Sequence, residues 1–261
     1  MLGLLALTAH RAWAADLSLE PYWKEKAPGL VVTTISIDGH AARLLFDTGA
    51  GLTSITPAFA RRVGCEPYGS VTGFRMRGDR VTSQKCGSRQ LTIGSQTIAR
   101  EIAVFDLSAL LPSDAPPIDG IMGVDVFDGR LITLVQSRAI VMGSRPGLGW
   151  REGTMRLQRE LSGAGLEVFV RATAVSGDIW LLLDTGHIGP VFLSPGAVEQ
   201  MGSPRPDLPI SLVVSGAGSR ETKAAHVEGL IYDGVLGEPF LRGLDIAIDF
   251  RQQRIWWRPT H

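Results

Sequence analysis

Leu44-Leu45-Phe46-Asp47-Thr48-Gly49-Ala50 recurs in this chain as Leu181-Leu182-Leu183-Asp184-Thr185-Gly186-His187. Each copy sets an aspartate at the end of an apolar run that reads as a buried strand. A carboxylate in that position is costly unless something pairs it or uses it. Two of them in equivalent settings suggest groups that meet in space, so the extent of the internal repeat decides the fold.

The repeat reaches well beyond the tripeptide. Upstream, residues 31–37 run through Asp38-Gly39-His40 into 41–46, and residues 166–172 run through Ser176-Gly177-Asp178 into 179–183. Both predict a β-hairpin with a glycine-containing turn that delivers its second strand to Asp-Thr-Gly. Downstream, Thr56-Pro57-Ala58 opens a short helical pattern ending at Val63-Gly64, and Ser194-Pro195-Gly196 opens one ending at Met201-Gly202. A hydroxyl N-cap, proline at the first helical position and glycine past the end are helix punctuation. The aspartates are offset by 137 residues and the prolines by 138, so one residue has been gained after Asp184. A third element, Ile118-Asp119-Gly120-Ile121-Met122-Gly123, matches Tyr232-Asp233-Gly234-Val235-Leu236-Gly237. Alternating strands follow at 131–135 and 246–250, and a last strand, 139–141 or 254–256, is expected to close each half.

With these elements in order, the chain resembles the aspartic proteases, both pepsin-like and retropepsin-like, and especially the bacterial retropepsin-like proteins. The resemblance covers nearly all of the chain after about residue 25. It implies an all-β fold of two homologous β-barrel lobes with short helices and a cleft between them. It makes Asp47 and Asp184 the catalytic pair, with Thr48 and Thr185 bonding across the lobe interface and Gly49 and Gly186 allowing close backbone approach. Gly123 and Gly237 belong to the elements that thread beneath the two loops and hold them. Asp119 and Asp233, in the same elements, are expected to cap turns.

The resemblance also implies a flap. The stretch from Val71 to Thr82 reads as a hairpin with its tip near Gly78-Asp79, and Gly73, Phe74 and Met76 are its candidate substrate contacts. The counterpart in the second half is expected at Leu212 to Ser219, as a flap or as a plain surface hairpin. The tyrosine of a pepsin-type flap has no match, since Tyr68 lies before the hairpin and Phe74 has no hydroxyl. The clearest departure from the family pattern is His187, where a small residue such as Ala50 is usual. Its imidazole either titrates beside the pair and favours the ionised carboxylate, or is turned to the surface by the extra residue.

Composition fits this reading. The 261 residues carry no net charge, which leaves no electrostatic footprint for nucleic acid. With 31 glycines and 15 prolines, and no helical period lasting beyond about three turns, many short strands are expected. The expected organisation is a signal remnant at 1–14, a first lobe at 15–145, a linker at 146–153 and a second lobe at 154–261. Ala12-Trp13-Ala14 resembles an export cleavage site, although no basic residue precedes the apolar run. Export predicts a periplasmic or secreted protein, and no other apolar run is long enough to span a membrane. Residues 15–29 are either an inhibitory segment or a first edge strand. The two cysteines, Cys65 and Cys86, form either a disulfide or two buried thiols.

Paired carboxylates a few ångströms apart share one proton over a range of pH. The ionised member activates a water, the protonated one bonds the substrate carbonyl, and no metal or cofactor is needed. The five histidines, at 10, 40, 187, 226 and 261, lack metal-ligand spacing. There is no G-x-S-x-G nucleophile elbow and no phosphate loop. The expected activity is therefore an aspartic endopeptidase acting on protein or peptide as a monomer with pseudo-two-fold symmetry. The alternative is a non-catalytic peptide-binding module, motivated by His187, the extra residue and a second half without a clear match to Leu91-Thr92-Ile93-Gly94.

Overall fold

A computed structural model describes residues 16–136, 138–159, 165–203, 205 and 209–260. The expected signal segment, 1–14, lies outside the described residues.

The first half contains β1 (Leu17–Ser18), β2 (Glu20–Trp23), β3 (Ala27–Ile37), β4 (His40–Phe46), β5 (Ser54–Ile55), α1 (Pro57–Arg62) and β6 (Tyr68–Phe74). It continues through β7 (Arg80–Ile93), β8 (Gln96–Val104), β9 (Gly120–Met122), β10 (Leu131–Val135) and β11 (Ala139–Met142). The second half contains β12 (Arg151–Gly153), β13 (Met155–Arg159), β14 (Leu166–Ala174), β15 (Gly177–Leu183), β16 (Val191–Leu193) and α2 (Pro195–Gln200). Then come β17 (Pro209–Val214), β18 (Gly218–His226), β19 (Gly234–Leu236), α3 (Glu238–Leu241), β20 (Leu244–Asp249) and β21 (Arg254–Pro259).

Each half folds into a barrel. In the first, β3-β4-β9-β5-β8-β7 closes through pairing of β3 with β7; in the second, β14-β15-β19-β16-β18-β17 closes through β14 with β17. The two-lobed all-β architecture is the one expected. The hairpins turn where glycine permits it, with Asp38 at φ 48° and Gly39 at φ 84° joining β3 to β4. Thr56 and Ser194 cap α1 and α2, their hydroxyls accepting from the N–H of Phe59 and Ala197.

Strand alternation aims the site. In β4, Ala42, Leu44 and Phe46 point into the barrel core, and Leu45 faces the other way. In β15, Ile179, Leu181 and Leu183 fill the core and Leu182 faces out. The period of two therefore leaves Leu45 and Asp47, like Leu182 and Asp184, to line one shared cleft.

The topology corrects one expectation, adds a strand within the expected linker and decides between two readings of a hairpin. The last hairpins do not close their own halves. They join in one sheet, β1-β11-β10-β20-β21-β12, in which β10 and β20 pair antiparallel from Leu131↔Asp249 to Leu134↔Ile246. Each hairpin would otherwise expose an unpaired edge, and pairing of the two halves with each other satisfies both edges at once. The end of the expected linker, Arg151–Gly153, is itself a strand of that sheet. The hairpin from Leu212 to Ser219 is not a second flap. Val213 pairs with Thr173 just as Thr92 pairs with Ser36, so this hairpin is the counterpart of Leu91 to Gly94, the match the sequence had hidden. Its turn packs on Gly153 and Trp257 instead of over the cleft.

Residues 17–18 and 20–23 form edge strands on β11 and β3, so this part of the 15–29 segment is edge strand. Cys65, just past α1, and Cys86, in β7, are buried and joined as a disulfide with 21 residues of separation and Cα atoms 5.8 Å apart. The bond ties the flap's base to the helix. Replacing both cysteines by alanine is expected to lower stability by about 2–4 kcal/mol through the freed unfolded chain. Urea unfolding checks this, and an unchanged midpoint would count against a bracing role. No helix among the described residues is long and apolar enough to cross a membrane.

Candidate active site

The two Asp-Thr-Gly loops meet at the lobe interface, each hung on its own holding strand. β4 pairs in parallel with β9 and β15 with β19. The Asp47 N–H donates to Met122 O and the Asp184 N–H to Leu236 O, both at 3.0 Å. Beyond these strands, Gly123 and Gly237 pass so close beneath the loops that a Cβ would lie 2.3 Å from Ala50 O or His187 O. Asp119 and Asp233 do not cap turns. Their carboxylates accept from the N–H of Arg43 and Trp180, binding each holding element to its hairpin, and Asp119 also takes Arg62.

Thr48 and Thr185 lock the loops to each other. The Thr48 hydroxyl donates to Leu183 O at 2.6 Å and accepts from the Thr185 N–H at 3.0 Å. The Thr185 hydroxyl donates to Phe46 O at 3.4 Å and accepts from the Thr48 N–H at 3.0 Å. This is a closed ring of four bonds, all crossing between lobes and all buried.

Within that frame the carboxyl groups of Asp47 and Asp184 lie close enough for each to shift the other's titration. The fit is tight: a Cβ on Gly49 would lie 2.4 Å from Asp184 Cγ, and one on Gly186 2.5 Å from Asp47 Cγ. Burial raises the pKa of Asp47, against the pull of the Asp184 side chain and backbone N–H bonds from Gly49, Gly186 and Ala50. Burial raises Asp184 further, to well above the usual carboxylate range, and the charge on Asp47 adds to it. A pair so placed holds one proton between its members. Asp184 Oδ1 is buried with no hydrogen-bond partner among the described residues.

The lobes brace their loops differently. In the first, Asp125 Oδ1 accepts from the N–H and hydroxyl of Thr53, and the Gly123 N–H donates to Thr53 Oγ1. Burial pushes the pKa of Asp125 up to about 7, opposed by these Thr53 bonds. The folded protein therefore keeps a proton that the unfolded chain releases near pH 4. Stability from this group is present below about pH 4 and lost as pH rises toward 7. Asp125→Asn keeps an acceptor for Thr53, and its melting temperature is expected to fall less steeply than wild type from pH 4 to 7. Parallel slopes in thermal melts would refute this.

In the second lobe that pairing is absent, and the tether is His187. Neither expectation for this residue matches its placement. Only 9% of it is exposed, so it is not turned to the surface. Its Nε2–H donates to Pro190 O at 2.7 Å, and its ring packs on Phe192 with centroids 4.3 Å apart. Gly189, where a Cβ would stand 2.8 Å from the ring, makes room for this fold-back. Burial lowers the imidazole pKa, against the Pro190 bond and the field of Asp47. A neutral, pinned ring braces the loop and supplies no charge to the pair.

Gly73, Phe74 and Met76 all line a cavity of about 420 Å³ that also contains both aspartates. The flap turn spans Arg75 to Asp79 and crosses to the second lobe, where the Ile231 N–H donates to Met76 O at 3.0 Å. Met76 packs against a cluster around Leu182 and Val227, whereas Phe74 is 60% exposed. The phenol in the cleft comes from the second lobe: Tyr232 donates to Glu167 Oε1 at 2.8 Å, and both line the cavity. Sequence reading missed Glu167, Tyr232, Thr53 and Asp125. Glu167 and Tyr232 could have been found by carrying the repeat offsets onto cleft positions.

A family model described as aspartyl protease matches residues 33–126. No curated protein matches the sequence. Among solved structures, the crystal structure of basic 7S globulin from soybean is similar with a TM-score of 0.57 at 10% identity, over 94% of this chain and 95% of that one. The first lobe thus matches an aspartyl protease family model in sequence, and the two lobes together have a pepsin-like fold.

Proposed function

We propose that the protein is an aspartic endopeptidase. The observation that carries this reading is the buried, mutually coupled pair Asp47 and Asp184, lining one cavity with the first-lobe hairpin. A water between the carboxyls gives a proton to the ionised member as its oxygen attacks the peptide carbonyl carbon. The protonated member gives its proton to the carbonyl oxygen, forming a gem-diol. The amide nitrogen then takes a proton from the pair, one diol hydroxyl gives its proton back to the pair as the C–N bond breaks, and an acid and an amine leave. Thr48, Thr185, Gly123 and Gly237 hold the geometry, and the flap excludes bulk water.

The substrate is protein or peptide, and both aspartates come from one chain, so a monomer suffices. Export to the periplasm or beyond is part of the proposal, supported by the disulfide and the Ala12-Trp13-Ala14 pattern. The test is digestion of a peptide library between pH 3 and 8 by wild type beside Asp47→Asn. Fragments from wild type alone support the peptidase; binding without fragments supports the peptide-binding module.

A further inference from the structure

The pseudo-two-fold axis relates two triads of cleft residues that differ in chemistry. Leu30 lies 17 residues before Asp47, and Glu167 lies 17 residues before Asp184. Leu45 matches Leu182 in the strands leading to the two aspartates, and Ile118 matches Tyr232 just before Asp119 and Asp233. All six residues line the cavity that holds the aspartates. The first triad is wholly apolar. In the second, a carboxyl group and a phenol replace two aliphatic side chains.

Resting on the reading of this cleft as a peptide site, we propose that it selects different side chains on the two sides of the bisected bond. It takes an apolar one against Leu30 and Ile118, and a basic one, Lys or Arg, against Glu167 and Tyr232.

The acidic half is a built feature. The Leu166 N–H donates to Gly51 O at 2.6 Å, so the start of β14 is tied to the Asp47 loop and Glu167 is delivered beside the pair. Glu167 is only 8% exposed and accepts from the Tyr232 hydroxyl. Tyr232 in turn is seated edge-on against Phe169, with ring centroids 5.2 Å apart. A carboxylate is an acceptor group, which a cationic donor suits and an apolar group does not. An apolar side chain pressed on it would strip water and return no hydrogen bond, whereas an ammonium or guanidinium replaces that water with a charged donor. Opposite, Leu30, Leu45 and Ile118 offer nothing to a charge and exclude it.

The experiment profiles a peptide library randomised on both sides of the cleaved bond, with full-length wild type, Glu167→Leu and Glu167→Gln. Wild type is expected to favour Lys or Arg on one side only. Glu167→Leu, which copies the residue at the symmetric position, should lose that preference by about tenfold or more and gain apolar residues there. Glu167→Gln, close in shape, should weaken it without inverting it. Preferences on the other side stay unchanged, which a loss of folding would not produce. An apolar preference on both sides of the wild-type bond, or a profile that Glu167→Leu leaves alone, overturns the proposal. If wild type yields no fragments, the peptidase reading fails separately, and capture of the same library on wild type and Glu167→Leu decides the selectivity.

Discussion

Asp184→Asn is expected to abolish peptide cleavage and, at pH 7, to raise the melting temperature. Catalysis requires the pair to hold one proton and to pass protons to and from water, carbonyl oxygen and amide nitrogen. An amide at position 184 can do neither, so kcat/KM should fall about ten-thousand-fold, the upper end of what positioned proton transfer contributes. Stability moves the other way because of burial. Both folded pKa values lie above the unfolded ones. The native state thus binds more protons than the unfolded chain above about pH 4, and wild-type stability falls as pH rises from there. The amide removes one ionisable group from the buried pair and leaves Asp47 without a like charge beside it. The gain in melting temperature should be greatest at neutral pH and shrink toward pH 4. Residual cleavage near the wild-type rate, or a variant that melts earlier at pH 7, would contradict the placement of these two groups.

The barrels and the pair were legible in the sequence because they rest on local rules applied twice. Alternation, a glycine turn and a capped helix each specify a few neighbouring residues, and repetition turned weak signals into a strong one. Register was not legible. The turn at Gly216-Ala217-Gly218 suits a flap or a barrel hairpin equally, and only the pairing of Val213 with Thr173 separates them. The joint between the halves was hidden for a similar reason. Strands β10 and β20 look like ordinary closing strands, and their partnership is a fact about two distant edges. The fate of His187 depended on the neighbouring Gly189 and Phe192, whose side-chain volumes decide whether an imidazole can fold inward. The disulfide turned on a Cα separation that no spacing encodes. Glu167 and Tyr232 were visible as residues but lay outside any motif, where only the offset between the halves gives them meaning.

The lock between the halves leads to the second large effect. Thr48→Val keeps the shape of the side chain and removes its hydroxyl. That deletes one donor, to Leu183 O, and one acceptor, for the Thr185 N–H, both inside the interface. Two buried polar groups lose their partners at about 1–3 kcal/mol each, so the expected loss is roughly 2–6 kcal/mol. Activity should fall as well, because the same ring sets the separation of Asp47 and Asp184, and misplacement by an ångström costs about a hundredfold. Thr48→Ser retains the hydroxyl and should recover most of both. By symmetry Thr185→Val should behave alike. The double variant is the sharper measurement. Opening a closed ring at one point already frees the lobes to shift, so a second opening should add much less than the first. Urea midpoints and peptide hydrolysis rates for the four proteins of that cycle give the coupling directly. Losses that add independently would mean that the two threonines act separately, and that the sheet formed by β10 and β20 alone fixes how the lobes meet.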